Sequence, residues 1–267
     1  MASLHDAAAG VDRMEQLAMN DSPVHRIHPM AKLVTTVLYV AFVISFSPRD
    51  VSGLMSFIFY PVIMMSLSGT PYRPLVRRLL FALPFSLMGG ISNLILSRGA
   101  VFYIGHFAVS LGMVSFASIM LKTLLSVLAV LILIATTSFV EISYQLAALR
   151  IPKIICLQLV MTYRYLSTLI SEAASMFTAY SLRSPNQKGI KMRDMGSFAG
   201  QLIMRSFDRA ERVYQAMKCR GFDGVYHGRK RGGLRWSDGF YITSLIFLTI
   251  LLRFFNLSLF LGNLGKR

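Results

Sequence analysis

Apolar runs separated by short polar connections dominate the first half of the chain. A membrane span needs about 20 mostly apolar residues, somewhat fewer or more with tilt. The pattern predicts spans over residues 33–46, 51–68, 79–97 and about 123–140, and a final span over about 240–261. Glycines and polar residues interrupt the apolar stretch between Ala100 and Lys122, which predicts a re-entrant or surface hairpin before the fourth span.

The pattern changes between residues 141 and 235. No Pro or Gly interrupts residues 153–183, which predicts a helix of about 30 residues, roughly 45 Å long. Further along, apolar residues spaced by three and four predict one stripe of an amphipathic helix. These residues are Ile203, Phe207, Ala210, Tyr214 and Met217. An alternative with six spans, in which residues 154–170 also cross the membrane, stays open.

We therefore expect an all-α, polytopic membrane protein with about five transmembrane helices and a cytoplasmic domain of long helices. The expected division is a cytoplasmic N-terminal segment (1–32), transmembrane helices 1–4 (33–140), the long-helix domain (141–235) and a final transmembrane helix with the C-terminus (236–267). The N-terminal segment carries acidic residues and lacks the apolar core of a signal peptide, so we expect it to stay attached.

The distribution of arginines predicts the orientation in the membrane. Arg73, Arg77 and Arg78 cluster between the second and third spans, whereas the first connection holds only Arg49 beside Asp50. Short basic connections stay on the cytoplasmic side, so the second connection and the N-terminus should both be cytoplasmic. Five spans then place the C-terminus outside, and six would place it inside.

Composition agrees with a membrane protein and excludes other classes. Hydrophobic residues make up 54% and charged residues 15% of the 267 residues, with a mean hydropathy of +0.56. Soluble domains carry about 25% charged residues. The formal net charge is +16, and residues 183–235 contribute +9 of it, from thirteen Lys/Arg and four Asp/Glu. Nucleic-acid-binding domains are basic too but rarely this apolar, so no nucleic-acid partner is expected.

No catalytic or metal-binding motif emerges from the sequence. The five histidines are scattered, and Cys156 and Cys219 form no CxxC pair, so structural or surface roles are expected for them. The chain has no GxxxxGK[ST] phosphate loop, and ATP would have to be hydrolysed by another chain. Lys122 and Arg253 are expected near the ends of their spans, where long cationic side chains reach the headgroups.

Two arginines occupy the same local position. Arg183 precedes Ser184-Pro185 and Arg220 precedes Gly221, and both pairs are signals that end a helix. A cation in the last turn of a helix gains about 0.3–1 kcal/mol from the helix dipole, which would explain each arginine singly. Two long helices that both end in a guanidinium also suggest two copies of one partner surface, because guanidinium suits carboxylates and backbone acceptors.

Several segments resemble the transmembrane T component of energy-coupling-factor (ECF) transporters, in particular the cobalt-type branch called CbiQ. The segments are SPVHRIHPMAKL (22–33), ALRIPK (148–153), TYRYL (162–166), EAASM (172–176) and AMKCRGF (216–222). The family's X-Arg-X signatures map onto Leu182-Arg183-Ser184 and Cys219-Arg220-Gly221. Alanine is usual before the first arginine in the family and frequent before the second, so Leu182 and Cys219 depart from the pattern without altering the guanidinium.

The resemblance implies a non-catalytic coupling subunit of an ATP-driven importer in a prokaryotic cell membrane. The two arginine-ended helices would dock two cytoplasmic ATP-binding-cassette ATPases, and the membrane part would hold a separate, CbiM-like substrate-binding S component. This chain would bind no cofactor, because ATP and Mg²⁺ belong to the ATPases. Lipids would contact the spans and the basic segment 228–236. Cobalt or nickel is the expected cargo; a vitamin-type T component and a self-contained membrane transporter are the alternatives.

Overall fold

The computed structural model describes residues 22–47, 50–96, 100–104, 107–184, 189–224 and 236–254. Most of these residues are helical. The helices are α1 (Pro29–Ile44), α2 (Val51–Ser56), α3 (Phe59–Ser68), α4 (Tyr72–Leu96), α5 (Leu111–Thr136), α6 (Phe139–Ala148), α7 (Lys153–Arg183), α8 (Met192–Cys219) and α9 (Trp236–Phe254). Between α4 and α5, β1 (Ala100–Ile104) and β2 (Phe107–Ser110) form an antiparallel hairpin. The all-α class is confirmed, and this hairpin is the exception within the described residues.

Four segments are long and apolar enough to cross a membrane. They are Val51–Ser68, Tyr72–Ser92, Gly112–Thr136 and Lys153–Arg183. The apolar helix α1 is shorter, with 16 residues, and the 19 residues of α9 extend about 28 Å. The rest of the predicted final span, residues 255–261, lies outside the described residues. A multi-pass membrane protein is therefore confirmed.

The second predicted span consists of two helices rather than one. Phe57, which follows α2, is fully buried. The Tyr39 hydroxyl of α1 donates a 2.9 Å hydrogen bond to the Phe57 carbonyl, and the Tyr39 ring stacks on Tyr60 with centroids 4.2 Å apart. In an apolar environment a backbone carbonyl released by a helix break needs a new partner. The Tyr60 N–H donates to the Phe57 carbonyl over a longer distance of 3.4 Å, and Tyr39 supplies the shorter hydrogen bond that keeps α1 against α2 and α3.

The fourth predicted span begins earlier than expected. α5 starts at Leu111 rather than near Thr123, because the hairpin that precedes it ends already at Ser110. Lys122 therefore lies well inside α5 rather than near its start, and level with the end of α1, the first predicted span. Its ammonium donates to the carbonyls of Ile44, at 3.4 Å, and Phe46. Ile44 is the last residue of α1 and Phe46 follows its C-cap, so Lys122 caps the C-terminal end of a neighbouring helix.

Gly90 allows α4 to approach α5 closely. It is buried, and a Cβ built on it would lie 2.5 Å from Cδ2 of Phe116 in α5. The neighbouring Gly89 has no such atom within 4 Å of its Cβ position. Small residues at helix contacts are the usual means of close packing in membranes. Of the Gly89-Gly90 pair, Gly90 is thus the one required by packing.

The described residues divide into two compact units. The first, here called the membrane unit, contains α1–α5, the hairpin and α9. The second, here called the long-helix unit, contains α6–α8. The chain leaves the membrane unit after Ser138. Within the expected N-terminal segment 1–32, residues 1–21 lie outside the described residues and Pro29 already begins α1.

Two contacts within the membrane unit show which helix ends share a face. The Lys32 ammonium donates to the Thr136 carbonyl at the end of α5, over 2.7 Å. The His28 backbone N–H donates to Asp238 Oδ1 in the first turn of α9, over 2.9 Å. The starts of α1 and α9 and the end of α5 therefore lie together. Because a single crossing by α7 would place the start of α9 on the opposite face, this geometry does not fit the six-span alternative.

Candidate functional site

The first arginine lies at the end of α7. Pro152 is the N-cap of this helix, and the uninterrupted sequence after it gives 31 helical residues. The helix closes at Ser184, whose N–H donates to the carbonyls of Tyr180, at 3.1 Å, and Ser181, at 3.3 Å. Arg183 and Leu182 are both exposed, Leu182 at 76%. A cation and a large apolar side chain thus stand side by side on the surface of the last turn.

The second arginine lies at the end of α8, in a Schellman motif. The Phe222 N–H donates to the Met217 carbonyl at 3.0 Å, and the Gly221 N–H donates to the Lys218 carbonyl at 2.9 Å. Gly221 has φ +79°, the left-handed conformation that glycine adopts without strain. Cys219 is the last helical residue and Arg220 the C-cap, and both are exposed. The predicted helix-stop function of Gly221 is confirmed.

Two side-chain contacts connect α7 with α8. The Tyr180 hydroxyl donates to Asp194 Oδ2 at 2.8 Å, and the Lys191 N–H donates to the Tyr180 oxygen at 3.4 Å. Glu172 and Arg205 form an ion pair further along the two helices. These residues are 14 and 33 positions apart in sequence, and neither spacing is a recognisable signal. The sequence therefore predicted the two helices but could not predict how they are joined.

The two arginines lie far apart on this pair of helices. Tyr180 and Asp194 place the end of α7, with Arg183, at the start of α8. Arg220 lies at the other end of α8, and the helical rise between Asp194 and Arg220 amounts to about 39 Å. One small acceptor cannot bind both guanidinium groups. The arrangement provides two separate cationic contact points, one at each end of α8.

The apolar stripe of α8 is exposed in the described structure. None of the helix's residues is buried, and Ile203, Phe207 and Tyr214 are each more than half exposed. A groove of about 410 Å³ lies between α7 and α8 and is lined by residues of this stripe, including Phe207, Ala210 and Met217. The predicted amphipathic helix is confirmed.

The histidines that the structure describes have local structural roles. His25 is buried and lies 2.7 Å from the Ser22 hydroxyl, and His28 Nδ1 accepts from the Met30 N–H at the start of α1. In the part of the chain that the structure describes, no group of three His, Cys, Asp or Glu side chains could hold a metal ion. His5, His106, His227 and the basic segment 228–235 lie outside the described residues. The Arg253 guanidinium lies 4.6 Å from the centre of the Phe46 ring.

The sequence profile of the cobalt transport protein family, CbiQ, matches residues 20–231. The chain belongs to this family. The match covers both X-Arg-X positions and most of the membrane unit. It identifies the chain as a CbiQ-type transmembrane component of ECF transporters, in agreement with the resemblance drawn from its motifs.

The names of individual relatives agree with the family match. The energy-coupling factor transporter transmembrane protein EcfT of Bacillus subtilis is 27% identical over 252 residues, covering 87% of this chain and 94% of the relative. EcfT of Lactococcus lactis is 25% identical over 254 residues, covering 87% and 93%. The nickel permease LarQ of Lactiplantibacillus plantarum is 29% identical over 119 residues, covering 45% and 44%. The similarity to both EcfT proteins extends over nearly their whole length.

Proposed function

We propose that this CbiQ-type chain is a non-catalytic coupling subunit that docks two cytoplasmic ATP-binding-cassette ATPases through Arg183 and Arg220. The proposal rests on one observation. The connected helices α7 and α8 each finish with an exposed arginine, and the two arginines lie about 39 Å apart along α8. Two distant and similar contact points suit two copies of a partner better than one ligand.

The surroundings of each arginine support docking over a purely local role. The helix dipole stabilises a terminal cation by about 0.3–1 kcal/mol, but this leaves the 76% exposed Leu182 beside Arg183 unexplained. An apolar side chain next to a guanidinium provides both burial and directional hydrogen bonding at an interface. Leu182, Ser184, Cys219 and Gly221 complete the two docking triplets.

The connection between α7 and α8 supports a role in transmitting motion. Tyr180–Asp194 and Glu172–Arg205 join the helices at two levels, so that a displacement at either end moves them as a packed unit. ATP and Mg²⁺ act at the ATPases, and this chain binds neither. The exposed stripe of α8 offers a surface to a substrate-binding S component, which the moving helices would reorient.

Cobalt or nickel is the proposed cargo. The family is described as cobalt transport proteins, and the relative LarQ is named a nickel permease. Uptake of radioactive Co²⁺ or Ni²⁺ by cells that express the complete transporter tests this assignment. Saturable uptake that requires this chain is expected. Vitamin uptake without metal uptake would assign it to the vitamin-type branch instead.

A charge-matched pair of double variants tests the docking. Arg183→Ala/Arg220→Ala removes the two helix-end cations. Arg164→Ala/Arg212→Ala removes one exposed cation from the interior of each of the same helices and changes the net charge equally. Co-purification of the ATPases with the first variant should fall below a tenth of the wild-type yield, because truncating one partner of a buried, hydrogen-bonded charge pair costs about 2–5 kcal/mol.

The control double variant should retain ATPase binding, and both should insert in the membrane with wild-type yield. Equal ATPase binding by the wild type and Arg183→Ala/Arg220→Ala would refute docking through these arginines. Equal losses in both double variants would assign the binding to overall positive charge rather than to the helix ends.

A further inference from the structure

A lysine is almost completely buried at the start of α1. Lys32 is 2% exposed, and its ammonium donates a 2.7 Å hydrogen bond to the carbonyl of Thr136, the last residue of α5. Lysine is rarely buried unless its charge is compensated. The last carbonyls of a helix have no partner within the helix and carry its negative dipole end. Lys32 therefore caps α5 from a neighbouring helix.

The capped carbonyl lies where the chain leaves the membrane unit. Thr137, which is 1% exposed, and Ser138 are the only residues between α5 and α6. The division between the two units falls directly after Ser138. A connection of two residues has few backbone dihedral angles that can absorb a displacement.

The first turn of α9, the first described element after the long-helix unit, contacts the same turn of α1. Asp238, in the first turn of α9, is 4% exposed and accepts a 2.9 Å hydrogen bond from the backbone N–H of His28, the N-cap of α1. His28 and Lys32 are one helical turn apart. The segment from His28 to Lys32, here called the anchor turn, thus contacts the last residue before one connection and the first turn after the other.

We propose that the anchor turn fixes the end of α5 and the start of α9, and that Lys32 is thereby a positioning residue for energy coupling. The inference depends on the proposed function, since it concerns force that enters through α7 and α8. While Lys32 holds the end of α5, movement of the long-helix unit displaces its partners in the membrane. When the hydrogen bond from Lys32 to Thr136 is removed, bending at Thr137 and Ser138 absorbs part of that movement.

Lys122 provides a matched control for the alternative that Lys32 only stabilises the fold. Its ammonium also caps a neighbouring helix, through the carbonyls of Ile44 and Phe46 at the opposite end of α1. Lys122→Met and Lys32→Met thus remove the same kind of hydrogen bond from the same pair of helices. They differ in whether that hydrogen bond lies next to a connection between the units, and also in burial, since Lys32 is buried and Lys122 is half-buried.

The first measurement uses the purified chain without ATPases. Hydrogen–deuterium exchange of the backbone amides of residues 137–141 should become several-fold faster in Lys32→Met and remain unchanged in Lys122→Met. Lys32→Arg, which keeps the cation, should exchange more slowly than Lys32→Met. If Lys32→Met does not fold, Asp238→Ala tests the second contact through the amides of residues 236–240. Unchanged exchange in every anchor variant would overturn the anchor, whether or not the proposed function holds.

The second measurement uses the reconstituted transporter. It gives the ratio of substrate molecules transported to ATP molecules hydrolysed for the wild type and each variant. Lys32→Met should lower this ratio by roughly threefold to tenfold, with ATPase association equal to that of Lys122→Met. An equal decrease of the ratio in both variants, or no decrease in Lys32→Met, would overturn the positioning role. Failure of the wild-type chain to bind ATPases would refute the proposed function and this role together, while the exchange result would still decide the anchor.

Discussion

The hydroxyl of Tyr180 and the carboxylate of Asp194 join the end of α7 to the first turn of α8 through a 2.8 Å hydrogen bond. The same hydroxyl accepts from the Lys191 N–H, just before α8. One side chain therefore joins the end of α7, next to Arg183, to the start of α8. In the proposed mechanism it determines the direction in which the first guanidinium is presented.

Tyr180→Phe should loosen this connection without unfolding either helix. Amide exchange of residues 189–196 is expected to rise several-fold, because the first turn of α8 is no longer hydrogen-bonded to α7. Tyr165→Phe is the control, since its hydroxyl makes no hydrogen bond within the described part of the chain. Equal exchange in the two variants would show that the Tyr180 hydroxyl does not order this connection.

Gly221→Ala should weaken the second docking point. At φ +79° an L-residue costs about 1–2 kcal/mol, so the end of α8 should fray and its affinity for an ATPase should fall about fivefold or more. Gly196→Ala is the matched control, because Gly196 is helical and its Cβ position is also free of neighbours. Alanine there should raise helix stability by up to about 1 kcal/mol. Titration of purified ATPase onto each variant measures the difference, and equal affinities would contradict it.

Gly90→Leu should destabilise the membrane unit, whereas Gly89→Leu should not. A side chain at Gly90 meets the Phe116 ring, and overpacking of this kind costs about 1–3 kcal/mol. Thermal unfolding in detergent should show a lower Tm for Gly90→Leu, partly restored by adding Phe116→Ala. A Tm that is equally low for both leucine variants would mean that helix propensity, rather than the approach of α4 to α5, governs this site.

Elements that depend on local sequence could be predicted. The 3–4 spacing of Ile203, Phe207 and Tyr214 predicted α8, and the absence of breakers after Pro152 predicted α7. The helix ends at Ser184 and Gly221 were equally predictable, because capping depends on a few adjacent residues. The family resemblance, which rested on such local motifs, is confirmed by the family match.

Features that depend on contacts between distant residues could not be predicted. The ammonium of Lys122 donates to the carbonyls of Ile44 and Phe46 at the end of α1, a contact between residues 78 and 76 positions apart that no spacing in the sequence indicates. The buried cap formed by Lys32 joins residues 104 positions apart. The separation of Arg183 from Arg220 follows from the contact of Tyr180 with Asp194, which no spacing in the sequence indicates.

The central claim is that each helix-end arginine holds one ATPase. Native mass spectrometry of the nucleotide-free complex, in which the ATPases are not held together by ATP, counts the ATPases bound to each copy of this chain. Two are expected for the wild type and the Arg164→Ala/Arg212→Ala control, one for Arg183→Ala or Arg220→Ala alone, and none for the double variant of those two. Two bound ATPases in the Arg183→Ala/Arg220→Ala variant would contradict the claim.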